Sequence, residues 1–83
     1  MSLISSRVKN IILEHYEFLE LQQITERADF YEDFGFEEVD FIELILHCEK
    51  EYTIAIPDED ALKMKTVGDL INYLEQNVPN GMR

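Results

Sequence analysis

The segment between Gly35 and Pro57 constrains the fold more than any other stretch of the chain. Over residues 37–52, apolar side chains recur every three or four positions in two neighbouring series. Val39, Ile42, Ile45 and Leu46 form one series; Phe41, Leu44, Cys48 and Tyr52 form the other. A helix of 3.6 residues per turn collects each series into a stripe. Two apolar stripes side by side predict a helix over 37–51 that turns both inward and lies at the centre of the molecule. Asp40, Glu43, His47 and Lys50 are left for its outer face. Gly35 and Pro57 punctuate the two ends, since a proline inside the helix would remove a backbone donor and clash with the preceding turn.

The other elements follow from the same periodicity. Ile4, Val8, Ile11, Ile12, His15 and Leu19 predict a first helix over residues 3–19 with one inward stripe. Residues 21–35 have no regular period. Ile24, Ala28, Phe30 and Phe34 read as anchors that tie a long loop to the core, and a loop of this length in so small a domain is often functional. After Pro57 a short helical segment is predicted over 58–63. Thr66 and Asp69 then have the spacing of a capping box. They open a last helix with Val67, Leu70, Ile71 and Leu74 inward, ended by Pro79 and Gly81. No segment alternates with period two, so no sheet is expected. With 83 residues the chain makes one domain. Its expected extent is 1–78, followed by a fraying tail at 79–83. Three main helices, one short helix and a long loop predict an all-α bundle.

Charge decides which partners are excluded. Eighteen acids against seven bases leave a net charge of −11. Twelve of those acids and a single base lie between Ala28 and Asp60; the rest of the chain is neutral. Nucleic-acid affinity comes chiefly from Lys and Arg on phosphates, so a nucleic-acid partner is not expected. An anionic membrane surface is disfavoured for the same reason. The concentrated acids suit a basic protein partner, with electrostatic steering of the encounter. No apolar run reaches membrane-spanning length. Residues 1–10 hold no apolar signal core, and the expected location is the cytoplasm.

Residues able to carry chemistry are few. Cys48 has no second cysteine to pair with and lies on an apolar stripe, which predicts a buried structural thiol. His47 and Cys48 are adjacent and point about 100° apart on a helix, so they make no nucleophile–base pair. His15 reads as a histidine at the edge of the core. The two histidines lack metal-ligand spacing. Asp58, Glu59 and Asp60 lack the internal glycine of a calcium loop. No phosphate-cradling glycine loop is present. An enzyme of its own is the last reading of this chain.

One stretch has a recognisable pattern. The run Glu32-Asp33-Phe34-Gly35-Phe36-Glu37-Glu38-Val39-Asp40-Phe41-Ile42-Glu43-Leu44 resembles the signature of acyl carrier proteins. That signature reads Asp-Leu-Gly, one residue, Asp-Ser-Leu, Asp, two residues, Glu-Leu. Glu49-Lys50-Glu51-Tyr52 is similar to the family's acidic end of the second helix. Ile56-Pro57-Asp58 and Thr66-Val67 are similar to its later segments. The resemblance covers nearly the whole chain. It implies a four-helix bundle of the acyl-carrier-protein type, with a short third helix and a long loop between the first two.

The resemblance departs from the family at one position. In the family, a serine after the signature Asp receives a phosphopantetheine arm, which holds an acyl group as a thioester. Here Glu37 matches the Asp and Glu38 stands where the serine belongs. The only serines, Ser2, Ser5 and Ser6, lie at the start of the chain. The expectation is that no arm is attached in the ordinary way and no thioester is carried. Glu37 and Glu38 would also stabilise the start of the helix by about 0.3–1 kcal/mol through its dipole. Glu38 would further keep negative charge where the arm's phosphate would be.

By resemblance, the partners are the basic surfaces of acyl-processing enzymes of fatty-acid, polyketide and related pathways, met by a monomer. Asp33, Glu37, Glu38, Asp40, Glu43, Glu49 and Glu51 are the expected contacts. The acyl pocket would be lined by Phe41, Ile45, Cys48, Tyr52, Ile56, Ala61, Met64, Leu70 and Tyr73. Phe41 and Leu70 are bulky, and these side chains are expected to fill the space and leave a solid core. Burying Phe41 would add about 1.5–3 kcal/mol of hydrophobic stabilisation. Two alternatives stay open. The chain is a true carrier, with an altered attachment site or cargo held another way. Or it is a structural subunit of a larger assembly, although a charged outer face argues for a transient encounter.

Overall fold

The computed structural model describes residues 3–79. Four helices follow one another: α1, Leu3–His15; α2, Glu38–Tyr52; α3, Asp58–Ala61; and α4, Val67–Asn77. A single 3-10 turn, Leu21–Gln23, interrupts the loop between α1 and α2. No strand forms among the described residues; Asp29 and Thr66 make one isolated antiparallel bridge. The expected all-α bundle with a short third helix is what the chain builds. The expected tail beyond Pro79 lies outside the described residues.

Each main helix buries one stripe. Ile4, Val8, Ile11 and Ile12 of α1 face Phe41, Leu44, Ile45, Cys48 and Tyr52 of α2 and Leu70, Ile71 and Leu74 of α4 across one core. The loop contributes Tyr16, Leu19, Ile24, Ala28, Phe30, Phe34 and Phe36 to that core. Phe30, completely buried, is the hub of an aromatic cluster. Its ring lies 6.0 Å from Phe34, 5.9 Å from Phe36 and 5.2 Å from Phe41. The loop has a local reason to stay in place as well. Phe30 N donates to Lys65 O, Val67 N to Ala28 O and Gly68 N to Glu26 O, at 2.8–3.0 Å. Gly68 permits that approach, because a Cβ there would sit 2.8 Å from Glu26 O. The predicted cap of α4 forms: Thr66 Oγ1 accepts from Asp69 N, and Asp69 Oδ2 accepts from Thr66 N and Lys65 N. These bonds hold the Asp69 carboxyl below its ordinary range.

Two expectations need correction. The helix predicted to run to residue 19 ends at His15. Tyr16 and Leu19 are still buried, but they reach the core from a turn, and Tyr16 is held there by donating its hydroxyl to Asp40 O at 2.9 Å. His15 itself is exposed rather than inward. The second correction concerns α2. Val39, Ile42 and Leu46, expected inward, are 57%, 49% and 57% exposed. At 100° per residue the five buried side chains of α2 span an arc of about 100°, and these three lie on the opposite side. The bundle is too small to cover both.

Candidate functional site

The aromatic cluster beneath it fixes the N-terminus of α2. Tyr16 and Phe36 rings meet at 4.7 Å, and Phe36 and Phe41 bracket residues 37–40 between buried anchors. Gly35 makes the turn into the helix with φ of 72°, a region where a side chain would be strained. Glu37 is the N-cap and forms a capping box with Asp40: Glu37 N donates to Asp40 Oδ2 at 2.8 Å. Glu38 is the first residue of the helix and is exposed.

The acids predicted as contacts do two different jobs. Asp33 Oδ2 accepts from Asp29 N at 2.7 Å and holds the loop. Asp40 caps α2. Glu49 Oε2 accepts from Ile56 N at 2.7 Å, fastening the entry to α3. Glu51 pairs with Arg7 through both carboxylate oxygens at 2.9 and 3.0 Å, which lowers its pKa. Only Glu38 and Glu43 of the seven are left with no hydrogen bond or ion pair among the described residues. Five of the seven make bonds that help hold the fold, although Asp33, Glu37 and Glu51 are exposed as well. Glu38 and Glu43 are exposed on the first half of α2 and make no such bond.

The nine residues expected around an acyl pocket are also divided. Cys48, Tyr52 and Leu70 are buried in the core, and burial pushes the Cys48 thiol up to about 12. Tyr73 faces α3 and donates its hydroxyl to Asp60 Oδ2 at 2.8 Å. Met64 is buried. Phe41, Ile45, Ile56 and Ala61 line a surface groove of about 650 Å³ between α2 and α3. The expected filling therefore does not reach the surface beside Phe41.

Sequence reasoning missed several walls of this groove: Tyr31, Ile42, Leu46 and Leu62, the last 80% exposed. Glu38, Glu49 and Asp58 complete it. The available signal was the width of the apolar arc on α2, which exceeds what one small core can cover. Tyr31 shares the groove with Glu38, and partial burial followed by the charge of Glu38 raises its phenol pKa.

On the other side of α2, the His47 ring stacks on His15 at 3.7 Å. Burial, then the neighbouring imidazole, lowers the His47 pKa. Among the described residues no three His, Cys, Asp or Glu side chains are placed to share a metal ion, and no helix is long and apolar enough to cross a membrane.

The arrangement offers a charged helix start beside an apolar groove. It supplies no nucleophile paired with a base. Residues 6–74 match the family described as the phosphopantetheine attachment site, and the chain belongs to that family. Domains of this family are carriers that meet acyl-processing enzymes, and are not themselves catalysts.

Proposed function

We propose that this member of the phosphopantetheine attachment-site family is a carrier-like domain that docks on basic surfaces of acyl-processing enzymes without carrying a thioester. What supports this reading is Glu38, exposed at the first position of α2, the position that the resemblance assigns to the family's serine. The arm is joined through a hydroxyl oxygen to phosphorus. A carboxylate would have to form a mixed carboxylic–phosphoric anhydride, which water cleaves readily, so the residue present does not fit the group. Ser5 and Ser6 do not substitute. Their neighbour Arg7 pairs with Glu51 at the far end of α2, roughly 20 Å along the axis from Glu38.

Glu38 and Glu43 supply the negative charge, and the first turns of α2 carry it outward. Electrostatic complementarity of this kind governs encounter and orientation. Incubation with coenzyme A and a broad-specificity phosphopantetheinyl transferase should leave the mass unchanged, while Glu38→Ser should gain one arm. A gain by the unaltered chain, mapped to any residue including Tyr31, would overturn the reading and favour a true carrier. Docking is tested separately with Glu38→Gln/Glu43→Lys. This variant spares the Glu37–Asp40 cap and should lose a captured acyl-processing enzyme at moderate salt.

A second reading draws on the apolar ridge Val39, Ile42 and Leu46. Exposed apolar residues in one row suit a lasting interface, and a permanent subunit would stay bound through high salt where a charge-steered partner would leave.

A further inference from the structure

We propose that the stacked His15–His47 pair is a pH-sensitive latch that frees the end of α1 from α2 when both rings are protonated. The latch lies apart from the groove, and its action does not depend on docking. His15 is the last residue of α1 and is exposed; His47 stands in the second half of α2 and is half-buried. Their rings are 3.7 Å apart and within 14° of parallel. Among the described residues neither imidazole makes a hydrogen bond or ion pair, so stacking, and no polar contact, ties the His15 side chain to α2. Parallel rings aim their lone pairs along parallel lines. That geometry suits stacking and does not suit a shared metal ion.

The stack accepts one proton and resists a second. A single imidazolium over a neutral aromatic ring is attractive. Glu43, one turn before His47, favours that charge, and the carbonyl end of α1 accommodates it. A second proton sets like charges face to face at 3.7 Å, and Lys50 on the next turn of α2 adds to the repulsion. Of the other charges nearby, Glu51 is engaged with Arg7, and Glu14 and Glu17 flank His15 in the sequence. Partial burial, then His15, holds His47 below its ordinary 6.5. Once unstacked, His47 regains its ordinary affinity for the proton. Falling pH therefore favours the open form from 6.5 downward, and the gain levels off below the value of the closed form. The residue joined to His15 is Tyr16, whose hydroxyl donates to Asp40 O and whose carbonyl accepts from Leu19 N. Opening leaves residues 16–19, the entry to the long loop, held by the buried Tyr16 and Leu19 side chains. The Glu37–Asp40 cap has no part in the latch.

The test is an NMR titration of the full chain from about pH 8 to 5, reading both histidine rings and the backbone amides. The His47 ring should titrate below 6.5, and the amides of residues 13–19 should move with it. After correction for intrinsic rates, exchange of the Tyr16 and Leu19 amides should be at least about threefold faster at about pH 5.5 than at about pH 7.5. Exchange over residues 38–41 should not change. His47→Phe keeps a ring in the stack and removes its proton, and should abolish both responses; His15→Phe is the matching variant from α1. His47→Gln removes ring and proton together, and should leave residues 13–19 exchanging fast at both pH values.

Titration of His47 at or above 6.5 overturns the proposal. So does a response of residues 13–19 that survives in both Phe variants, which would assign it to Glu14, Glu17 or Glu43. Equal exchange in His47→Phe and His47→Gln overturns it as well, because the stack would then hold nothing.

Discussion

The two halves of α2 carry the same kinds of residue and use them in opposite ways. In the C-terminal half, Glu49 holds Ile56 N, Glu51 holds Arg7, and His47 stacks on His15. Its chemistry is consumed in joining α1 and the α3 entry to the bundle. In the N-terminal half, Glu38, Val39, Ile42 and Glu43 face solvent, and the carboxylates used internally are those of the Glu37–Asp40 cap. A carboxylate that already accepts a backbone hydrogen bond is fixed in position and has fewer acceptor sites left than one that makes no internal bond. Acid density alone therefore overstates how many carboxylates make no internal bond; among the acids of α2 from Glu38 to Glu43, those are Glu38 and Glu43.

The largest expected effect removes what supports the N-terminal half. Phe30→Ala empties a fully buried site at the hub of the aromatic cluster and should cost about 3–5 kcal/mol in denaturant unfolding. Amide exchange over residues 37–41 should rise before that over 47–52; the reverse order would break the assignment of Phe30 to the helix start. Next, Glu49→Ala should cost about 1–3 kcal/mol by leaving Ile56 N without its acceptor. Asp40→Asn should cost on the order of 1 kcal/mol by weakening the cap. Glu38→Gln should cost about 0.3–1 kcal/mol, the dipole contribution alone, and Glu43→Gln less than about 0.5 kcal/mol. Partner binding should rank these in the reverse order. If Glu43→Gln destabilised as much as Glu49→Ala, the division of α2 would fail.

The smallest effect is a pH dependence confined to the C-terminal half. Burial and His15 hold His47 below the ordinary imidazole value of 6.5. Between the folded value and 6.5 the unfolded chain binds the proton more readily, so stability falls as pH drops through 6.5. Glu51 acts in a lower window. Its pKa is held below 4.5 by the hydrogen bond from Arg7, so its contribution is complete above 4.5 and is lost as pH falls through the folded value. Thermal melts should decline from pH 7 to 5.5, and His47→Gln should flatten that decline. An unchanged slope in the variant would assign it elsewhere.

Much of the fold was legible because it is local. Thr66 and Asp69 announced the start of α4, Gly35 and Pro57 bounded α2, and the loop anchors Ile24, Ala28, Phe30 and Phe34 were readable as isolated apolar residues in an irregular stretch. The candidate site was legible only in part. Glu38 was found from its place in a motif, and Phe41, Ile45, Ile56 and Ala61 from their order along it. Leu62 and Tyr31 were not, because each enters the groove from a different element and neither belongs to a periodic series.

The sequence by itself determined the helices, their caps, the concentration of acid between Ala28 and Asp60, and the carboxylate at position 38. Periodicity and charge are properties of a segment, and a segment carries them before it folds. Tertiary structure alone decided which apolar stripe of α2 was covered and which acids were spent. A stripe shows that residues share a face, but burial depends on what packs against that face. Here α1, α4 and the loop cover the arc of Leu44 and Cys48 and leave Ile42 and Leu46 beside an open groove.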